Sequence, residues 1–188
     1  METSRINMKF TEGKIKGLWI IEPQIFGDER GYFLESFRWD LFREFTGFKG
    51  DFVQDNESLS SKGVLRGLHF QKPPMAQAKL VRVVCGSVMD VVVDIRKNSP
   101  TYGQSETILL DSKEKKIFFV PEGFAHGFQT LEDHTIFQYK CSNYYSKEHE
   151  MGLQWNDESL QVSWIEDDFI ISEKDQNQLS FSSFKSPF

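Results

Sequence analysis

The sequence has few cysteines, no long apolar run and no excess of positive charge. Its two cysteines, Cys85 and Cys141, form no CxxC motif, so no disulfide framework is indicated and we expect reduced, partly buried thiols. No apolar run approaches the roughly 18 residues that cross a bilayer, which excludes a membrane-spanning role. The amino end, METSRINMKF, lacks the apolar stretch of a secretory signal, and we therefore expect a cytoplasmic protein.

Acidic side chains outnumber basic ones, 28 to 22, and the formal net charge is −6 at pH 7. Without basic clusters such a chain has no electrostatic footprint for nucleic acid, and we expect no nucleic-acid partner. The 39% of hydrophobic and 27% of charged residues are ordinary for a globular protein. A length of 188 residues predicts a single domain over residues 1–188.

Phenylalanine is the abundant aromatic residue, with 18 of the 188 positions. Its side chain adds bulk without a polar atom that needs a partner, so the composition favours a large aromatic core. Stacking of some of these rings on a flat ligand stays open as an alternative.

Short strand-like segments recur along the chain, rich in β-branched and aromatic residues and separated by turn residues. They are Lys16–Ile21, Tyr32–Phe37, Val64–Gln71, Lys79–Val84, Ser87–Ile95, Gln104–Leu110, Ile117–Val120, Gly127–Leu131 and Thr135–Cys141. A spacing of about 8–12 residues predicts an all-β antiparallel sandwich or barrel. Two short helices are predicted as well, one over Arg38–Phe45 on a single apolar stripe and one near the carboxyl end with Ser172 as its N-cap.

Four histidines are present, and two of them are candidates for chemistry. His134 and His149 lie in charged sequence and are expected at the surface. His69 and His126 each lie in an apolar, glycine-punctuated strand region. A lone histidine in such a place is more often a hydrogen-bonded core residue, but two of them near other ionisable strand residues weaken that interpretation.

A metal site is disfavoured by the spacing around these histidines. Metal-binding cupins, a jelly-roll class, carry G-x5-H-x-H-x3,4-E followed by P-x-G-x2-H. Gly63 and His69 fit the first pattern, but Gln71 replaces its second histidine and no glutamate follows at the required place. Two imidazoles without a third histidine or a carboxylate make a poor transition-metal site, so we expect a metal-free cavity.

Seven segments occur in an order and spacing that resemble one family. They are Gly27–Phe33, Gln54–Asn56, Lys62–Gln71, Lys79–Arg82, Asp94–Arg96, Pro121–Phe128 and Tyr139–Tyr145. Together they resemble the dTDP-4-dehydrorhamnose 3,5-epimerase family from about Phe10 to Asp175. The resemblance implies a cupin jelly roll (a double-stranded β-helix) with short flanking helices, a homodimer, no cofactor and a dTDP-linked 4-keto-6-deoxy sugar as substrate. The residues before Met8 are expected to be an extension.

The resemblance also implies roles for individual side chains. It assigns His69 as the base, supported by Asp175, with Lys79 facing the ketone oxygen and Tyr139 returning a proton from the opposite side. The positions implied in substrate binding are Arg30, Phe33, Glu35, Gln54, Asn56, Arg66, His126, Tyr145, Glu150 and Lys174. Among these the two arginines suit phosphate, and Tyr145 matches a position that stacks on thymine.

One local prediction follows from strand geometry. In a regular strand Arg66 and His69 point to opposite faces, so they share a cavity only if the strand is irregular. Gly67 is the natural place for a bulge, and we predict a disruption of the ladder within one residue of it.

Several functions stay open at this point. A related cupin could act on another nucleotide sugar or a heptose, as a 3-only or 5-only epimerase, or as a 3,4-ketoisomerase. A non-catalytic carbohydrate- or nucleotide-binding jelly roll would need neither Lys79 nor Tyr139 beside His69. A metal-dependent cupin oxygenase or isomerase would need the ligand that Gln71 replaces.

Overall fold

The fold is known from a computed structural model that describes residues 8–165 and 168–188, so the extension expected before Met8 lies outside the described residues. The strands are β1 (Lys9–Glu12), β2 (Trp19–Glu22), β3 (Ile25–Asp28), β4 (Gly31–Leu34), β5 (Gln54–Ser60), β6 (Val64–Gln71), β7 (Lys79–Cys85), β8 (Ser87–Asp94), β9 (Ser105–Asp111), β10 (Ile117–Val120), β11 (Phe124–Thr130), β12 (Thr135–Cys141), β13 (Glu150–Gly152) and β14 (Ile170–Ile171). The helices are α1 (Trp39–Thr46) and α2 (Glu173–Gln176), with single 3₁₀ turns at Glu158–Leu160 and Phe181–Ser183.

Two antiparallel sheets form the body of the protein. One has the order β1-β2-β10-β7-β12-β5, and the other has the order β13-β6-β11-β8-β9 with β14 parallel to β6. The chain passes from one sheet to the other at seven places, between β5 and β6, β6 and β7, β7 and β8, β9 and β10, β10 and β11, β11 and β12, and β12 and β13. This alternation is that of a jelly roll, and the predicted all-β cupin fold is confirmed.

The core between the sheets follows from side-chain alternation along the strands. Val81 and Val83 of β7 and Phe137 of β12 point inward and pack against residues of the facing sheet such as Phe128 of β11. The rings of Phe128 and Phe137 stack with their centroids 4.2 Å apart. This cluster forms the apolar floor beside which the polar residues of the cavity are placed.

The outer faces of both sheets are also covered, which is where much of the phenylalanine lies. On the first sheet, α1 and its flanks lay Phe42 against Phe119 with the ring centroids 4.9 Å apart. On the second sheet, the carboxyl-terminal segment lays Phe184 and Phe188 against Phe70. The aromatic core predicted from composition is therefore largely two outer layers rather than one central one.

Both predicted helices exist. α1 begins one residue later than predicted and ends before Gly47, whose φ of 68° is the left-handed conformation that favours glycine at a helix end. Ser172 is the N-cap of α2, because its side chain accepts a hydrogen bond from the backbone N–H of Asp175 at 3.1 Å. Neither helix of the described residues is long and apolar enough to pass through a bilayer.

Some local expectations were wrong. β5 was not predicted, because its sequence QDNESLS is polar on both faces. The first predicted strand begins only at Trp19. His149 is half-buried rather than a free surface residue, since its Nδ1 lies 2.7 Å from the Ser146 hydroxyl. Of the two free thiols, Cys141 is buried but Cys85 is exposed.

Candidate active site

A bulge in β6 brings two functional side chains to one cavity. Gly67 and Leu68 of β6 lie opposite the single Gly127 of β11, so the ladder shifts register there, as predicted. Gly67 has a φ of 138°, and a Cβ atom at this position would lie 2.6 Å from the Cα of Gly127. Only glycine fits this close approach. Beyond the bulge His69 faces the same cavity as Arg66.

The cavity has two connected compartments. The larger, of about 300 Å³, is lined by Ser58, Arg66, His69, Lys79, His126, Gly127, Phe128, Phe137, Tyr139, Ser172, Lys174 and Asp175. The smaller, of about 120 Å³, is lined by Gln54, Asn56, His69, Phe70, Gln71, Gln77, Lys79, Tyr139, Cys141, Tyr145 and Glu150. His69, Lys79 and Tyr139 line both, so an imidazole, an ammonium group and a phenol meet where the compartments join.

His69 is hydrogen-bonded to a carboxylate from a distant part of the chain. Its Nε2 lies 2.5 Å from Oδ1 of Asp175, which α2 supplies. Burial raises the pKa of Asp175. The hydrogen bond and charge of His69 lower it, as do hydrogen bonds from the Gly67 N–H and the Ser172 side chain, and these effects together outweigh burial. The net pKa of Asp175 is therefore below its usual range. An ionised carboxylate only accepts, so the imidazole proton lies on Nε2 and Nδ1 keeps a basic lone pair.

Lys79 and Tyr139 come from neighbouring strands of the other sheet. Burial lowers the pKa of the Lys79 ammonium group, and the negative charges of Asp90 and Glu150 offset only part of that effect. Burial raises the pKa of the Tyr139 phenol, although a hydrogen bond with Asn56 and the charge of Arg66 act the other way. Tyr139 is therefore a neutral hydrogen-bond donor at pH 7.

His126 forms a second pair with an aspartate. It lies directly opposite His69 across the β6–β11 ladder. Its Nε2 lies 3.0 and 2.9 Å from the two carboxylate oxygens of Asp90, on β8. Burial raises the pKa of Asp90, while His126 and the charge of Lys79 counteract that rise in part. Asp90 was not among the predicted site residues; a lone carboxylate inside the apolar run VMDVVV was the signal that could have found it.

The smaller compartment is held by a chain of polar contacts. The Tyr145 hydroxyl donates to Glu150 at 2.8 Å, and the Lys174 ammonium group lies 2.6 Å from the same carboxylate. The backbone N–H of Tyr145 donates to the side-chain oxygen of Gln54 at 3.0 Å, and the Gln54 amide donates to Asn56 at 3.0 Å. The Tyr145 ring is 55% exposed, which leaves a face open for stacking.

Gln71 stands where a metal-binding cupin has a histidine, and its amide is engaged elsewhere. It donates to the carbonyl oxygens of Met75 and Tyr144 and accepts from the N–H of Ser146. Gln71 therefore ties the loop after β6 to the loop after β12. In residues 8–165 and 168–188 no three His, Cys, Asp or Glu side chains are grouped as metal ligands. The metal-free cavity stays a prediction.

Three residues expected to bind substrate are not among those that line the cavity. Arg30 lies at the turn of the β3–β4 hairpin, where its side chain is 85% exposed and pairs with Asp28. Phe33 is 62% exposed on the same hairpin. Glu35 follows it and lies 3.9 Å from Arg38. The other seven predicted binding residues all line one of the two compartments.

Comparison with known proteins adds a family to this geometry. A family model described as dTDP-4-dehydrorhamnose 3,5-epimerase matches residues 12–183. A dTDP-4-dehydrorhamnose 3,5-epimerase of Shigella flexneri is 49% identical over 174 residues, which cover 93% of this chain and 96% of that protein. The matched region includes both histidine–aspartate pairs.

Two solved structures are close in both sequence and shape. A dTDP-4-dehydrorhamnose 3,5-epimerase of Elizabethkingia anophelis is 50% identical, with a TM-score of 0.89 over 93% of this chain and 97% of that one. A dTDP-6-deoxy-D-glucose-3,5-epimerase of Legionella pneumophila, solved in complex with dTDP-4-keto-L-rhamnose, is 43% identical, with a TM-score of 0.92 over 95% of each chain. The likeness therefore extends over nearly the full length.

Proposed function

The chain belongs to the dTDP-4-dehydrorhamnose 3,5-epimerase family, and we propose that it inverts C3 and C5 of dTDP-4-dehydro-6-deoxyglucose by proton transfer through an enolate. Both carbons are adjacent to the C4 ketone, so one base and one enolate-stabilising group can serve each in turn. The observation that carries the proposal is the meeting of His69, Lys79 and Tyr139 where the two compartments join.

His69 is the proposed base. Its Nδ1 removes a proton from the carbon next to the ketone, and the electron pair of the broken C–H bond moves to the ketone oxygen. Asp175 holds Nε2 protonated and stabilises the imidazolium as it forms. Proton transfer by such a positioned base contributes about 10²–10⁴-fold to the rate.

Lys79 and Tyr139 complete the reaction in this proposal. The Lys79 ammonium group stabilises the enolate oxygen, and losing such a donor costs about 3–4 kcal/mol in the barrier. Tyr139 lies on the opposite sheet from His69 and donates its phenolic proton to the other side of the ring. The product then has inverted configuration. No electrons are gained or lost. His69 then releases the proton that it gained to solvent, and Tyr139 regains from solvent the proton that it lost.

The nucleotide end of the substrate is proposed to bind through the cations and the exposed ring. Arg66 and Lys174 line the larger compartment and suit the diphosphate. Tyr145 lines the smaller compartment with an open ring face, which suits stacking on thymine, and Gln54 lies beside it. The bound dTDP sugar in the Legionella pneumophila structure supports this class of ligand.

We also propose a homodimer in which the β3–β4 hairpin contacts a second copy. The hairpin exposes Ile25, Phe26, Tyr32 and Phe33, an apolar group that a lone chain leaves in water. In a symmetric dimer the hairpin of each subunit would pack on the other subunit. Arg30 and Phe33, which do not line the cavity of their own chain, would then reach the cavity of the other subunit.

Mixing of two inactive variants tests the dimer. Arg30→Ala and His69→Ala homodimers are each expected to be weak or inactive, but a mixed dimer has one cavity with both groups intact if the hairpin acts on its partner. Recovery of up to about a quarter of wild-type activity after the subunits are mixed supports exchange of the hairpin. Absence of recovery in mixed dimers, isolated through a different affinity tag on each variant, contradicts it.

The reaction itself is tested with dTDP-4-dehydro-6-deoxyglucose in deuterated water, followed by NMR. Deuterium at both C3 and C5 of an inverted product supports double epimerisation, whereas label at one carbon alone indicates a single-site epimerase. Tyr139→Phe is expected to exchange substrate protons but to lose inverted product, because the base survives and the acid does not. Normal product formation by Tyr139→Phe contradicts its role as the acid.

A further inference from the structure

The His126–Asp90 pair is buried beside the reacting groups and has no part in the proton transfers described above. Asp90 is fully buried, and the side chain of His126 is only 6% exposed. Both come from central strands, β11 and β8, in which Phe128 rather than His126 is the register partner of Asp90. The pair is therefore fixed by the rigid part of the fold.

The orientation of the His126 ring is over-determined. Nε2 is bonded to both oxygens of Asp90, and the ring lies nearly parallel to that of Phe137, with centroids 6.4 Å apart. Nδ1 makes no hydrogen bond within residues 8–165 and 168–188, although His126 lines the larger compartment. The free ring nitrogen is thus the polar atom that this residue offers to the cavity.

We propose that Asp90 is a positioning residue that keeps the His126 proton on Nε2, so that Nδ1 accepts a hydrogen bond from a hydroxyl group of the bound sugar. This inference rests on the proposed function for the identity of the ligand. A carboxylate can only accept, which places the proton on Nε2 and leaves a lone pair on Nδ1. A neutral hydroxyl is the donor that such an acceptor recognises.

The neighbouring positive charge favours this arrangement. Lys79 attracts the Asp90 carboxylate, so the ionised form of the aspartate has a counter-charge in a buried place. If His126 carried the proton on Nδ1 instead, it would present a donor to a cavity that already contains the donors Arg66, Lys79 and Lys174. The cavity would then hold no uncharged acceptor at this position.

The tautomer is measured first, in wild-type protein without ligand, by two-dimensional ¹⁵N NMR of the histidine rings at neutral pH. We expect His126 to show a protonated Nε2 and an unprotonated Nδ1, assigned by the signals missing from His126→Ala. A protonated Nδ1 overturns the proposal. This measurement does not depend on what the enzyme catalyses.

The second test is a double-mutant cycle on KM with His126→Ala and Asp90→Asn. One hydroxyl hydrogen bond corresponds to about a fivefold change, so each single variant is expected to raise KM about fivefold. If Asp90 acts through His126, the double variant has the KM of His126→Ala alone. Additive increases in KM overturn the proposal.

Asp94→Asn is the matched control for this cycle. Asp94 is equally buried and lies on the same strand, but its carboxylate bonds Arg96, Ser99 and Thr101, away from the cavity. The Asp94→Asn substitution is expected to lower folding stability. His126→Ala should raise KM by the same factor whether or not Asp94→Asn is present. The two proposals can fail separately. If NMR shows His126 protonated on Nε2 but His69→Ala keeps full solvent exchange, the proposed function is wrong, whereas the positioning role of Asp90 is still supported.

Discussion

The two histidine–aspartate pairs contain the same chemical groups but are built by different parts of the fold. The side chain of His69 is 24% exposed and its aspartate comes from α2, 106 residues further along the chain. The side chain of His126 is 6% exposed, and its aspartate comes from the adjacent strand β8. The imidazole of the first pair is therefore partly accessible to solvent, whereas both members of the second pair are buried.

This difference shows how the extent of burial changes the pKa of the aspartate in a histidine–aspartate pair. The carboxyl group of Asp175 has a lowered pKa, because its hydrogen bonds outweigh burial, whereas the pKa of Asp90 is raised because burial outweighs its partners. An imidazole that exchanges protons with a ligand needs access, and an imidazole that orients a ligand needs rigidity. The fold provides access in one pair and rigidity in the other.

Truncation of each histidine gives the largest expected contrast. His69→Ala removes the proposed base, so solvent exchange at the substrate carbons should fall by about 10²–10⁴-fold. His126→Ala keeps the base and should retain exchange with weaker binding. Deuterium incorporation followed by NMR measures both variants, and equal losses of exchange would erase the distinction between the pairs.

The bulge at Gly67 is the next difference, because of the two strands that carry these histidines, β6 is bulged and β11 pairs regularly with β8. Gly67→Ala places a Cβ 2.6 Å from the Cα of Gly127 at a φ of 138°, and we expect a loss of about 3 kcal/mol in unfolding free energy. Gly47→Ala is the control, since Gly47 also has a positive φ, of 68°, but nothing lies within 4 Å of the added atom. It should cost about 1 kcal/mol. Urea unfolding compares the two variants; equal losses would mean that the close approach to β11 does not fix the bulge.

The cap of α2 tests how the first pair is held. Ser172→Ala removes the hydrogen bond to the N–H of Asp175 and should cost about 1 kcal/mol in unfolding free energy, with kcat lowered several-fold because the carboxylate loosens. Asp157→Ala removes a comparable cap from the 3₁₀ turn Glu158–Leu160. It should lower stability without lowering kcat. A similar fall in kcat for both would point to a general loosening of the carboxyl-terminal segment.

The smallest expected effect is a difference in pH dependence of stability. The pKa of Asp175 in the folded state is below its ordinary value of 3.8, so its pair contributes stability above about pH 3.8 and loses it as pH falls through the folded-state pKa. The raised pKa of Asp90 has the opposite sign, since keeping it ionised costs stability as pH rises from 3.8 through its folded-state pKa.

Unfolding free energies of wild type, Asp175→Asn and Asp90→Asn between pH 3 and 8 measure this difference. The deficit of Asp175→Asn relative to wild type should grow as pH rises through the acid range. The deficit of Asp90→Asn should shrink over the pH range in which Asp90 ionises. Parallel curves for the two variants would contradict the opposite shifts.

Much of the fold was predictable because its signals are local. Val64–Gln71, Ile117–Val120 and Thr135–Cys141 are strands over the predicted residues, since alternation, β-branched residues and turn glycines act within a few positions. The bulge was predictable for the same reason, from one glycine between Arg66 and His69. β5 was missed because it is held in the sheet by its pairing with β12, and its own polar sequence carries no hydrophobic alternation that predicts a strand.

The sequence by itself determined which side chains can do chemistry and on which strands they lie, because residue identity and strand periodicity are properties of neighbouring positions. Tertiary structure alone decided which of these side chains meet. It brought Asp175 to His69, put Asp90 behind His126 and left Arg30 and Phe33 outside their own chain's cavity. Those contacts depend on how two sheets close and how the carboxyl-terminal segment packs over them, through the summed burial of many apolar side chains that no single stretch of sequence contains.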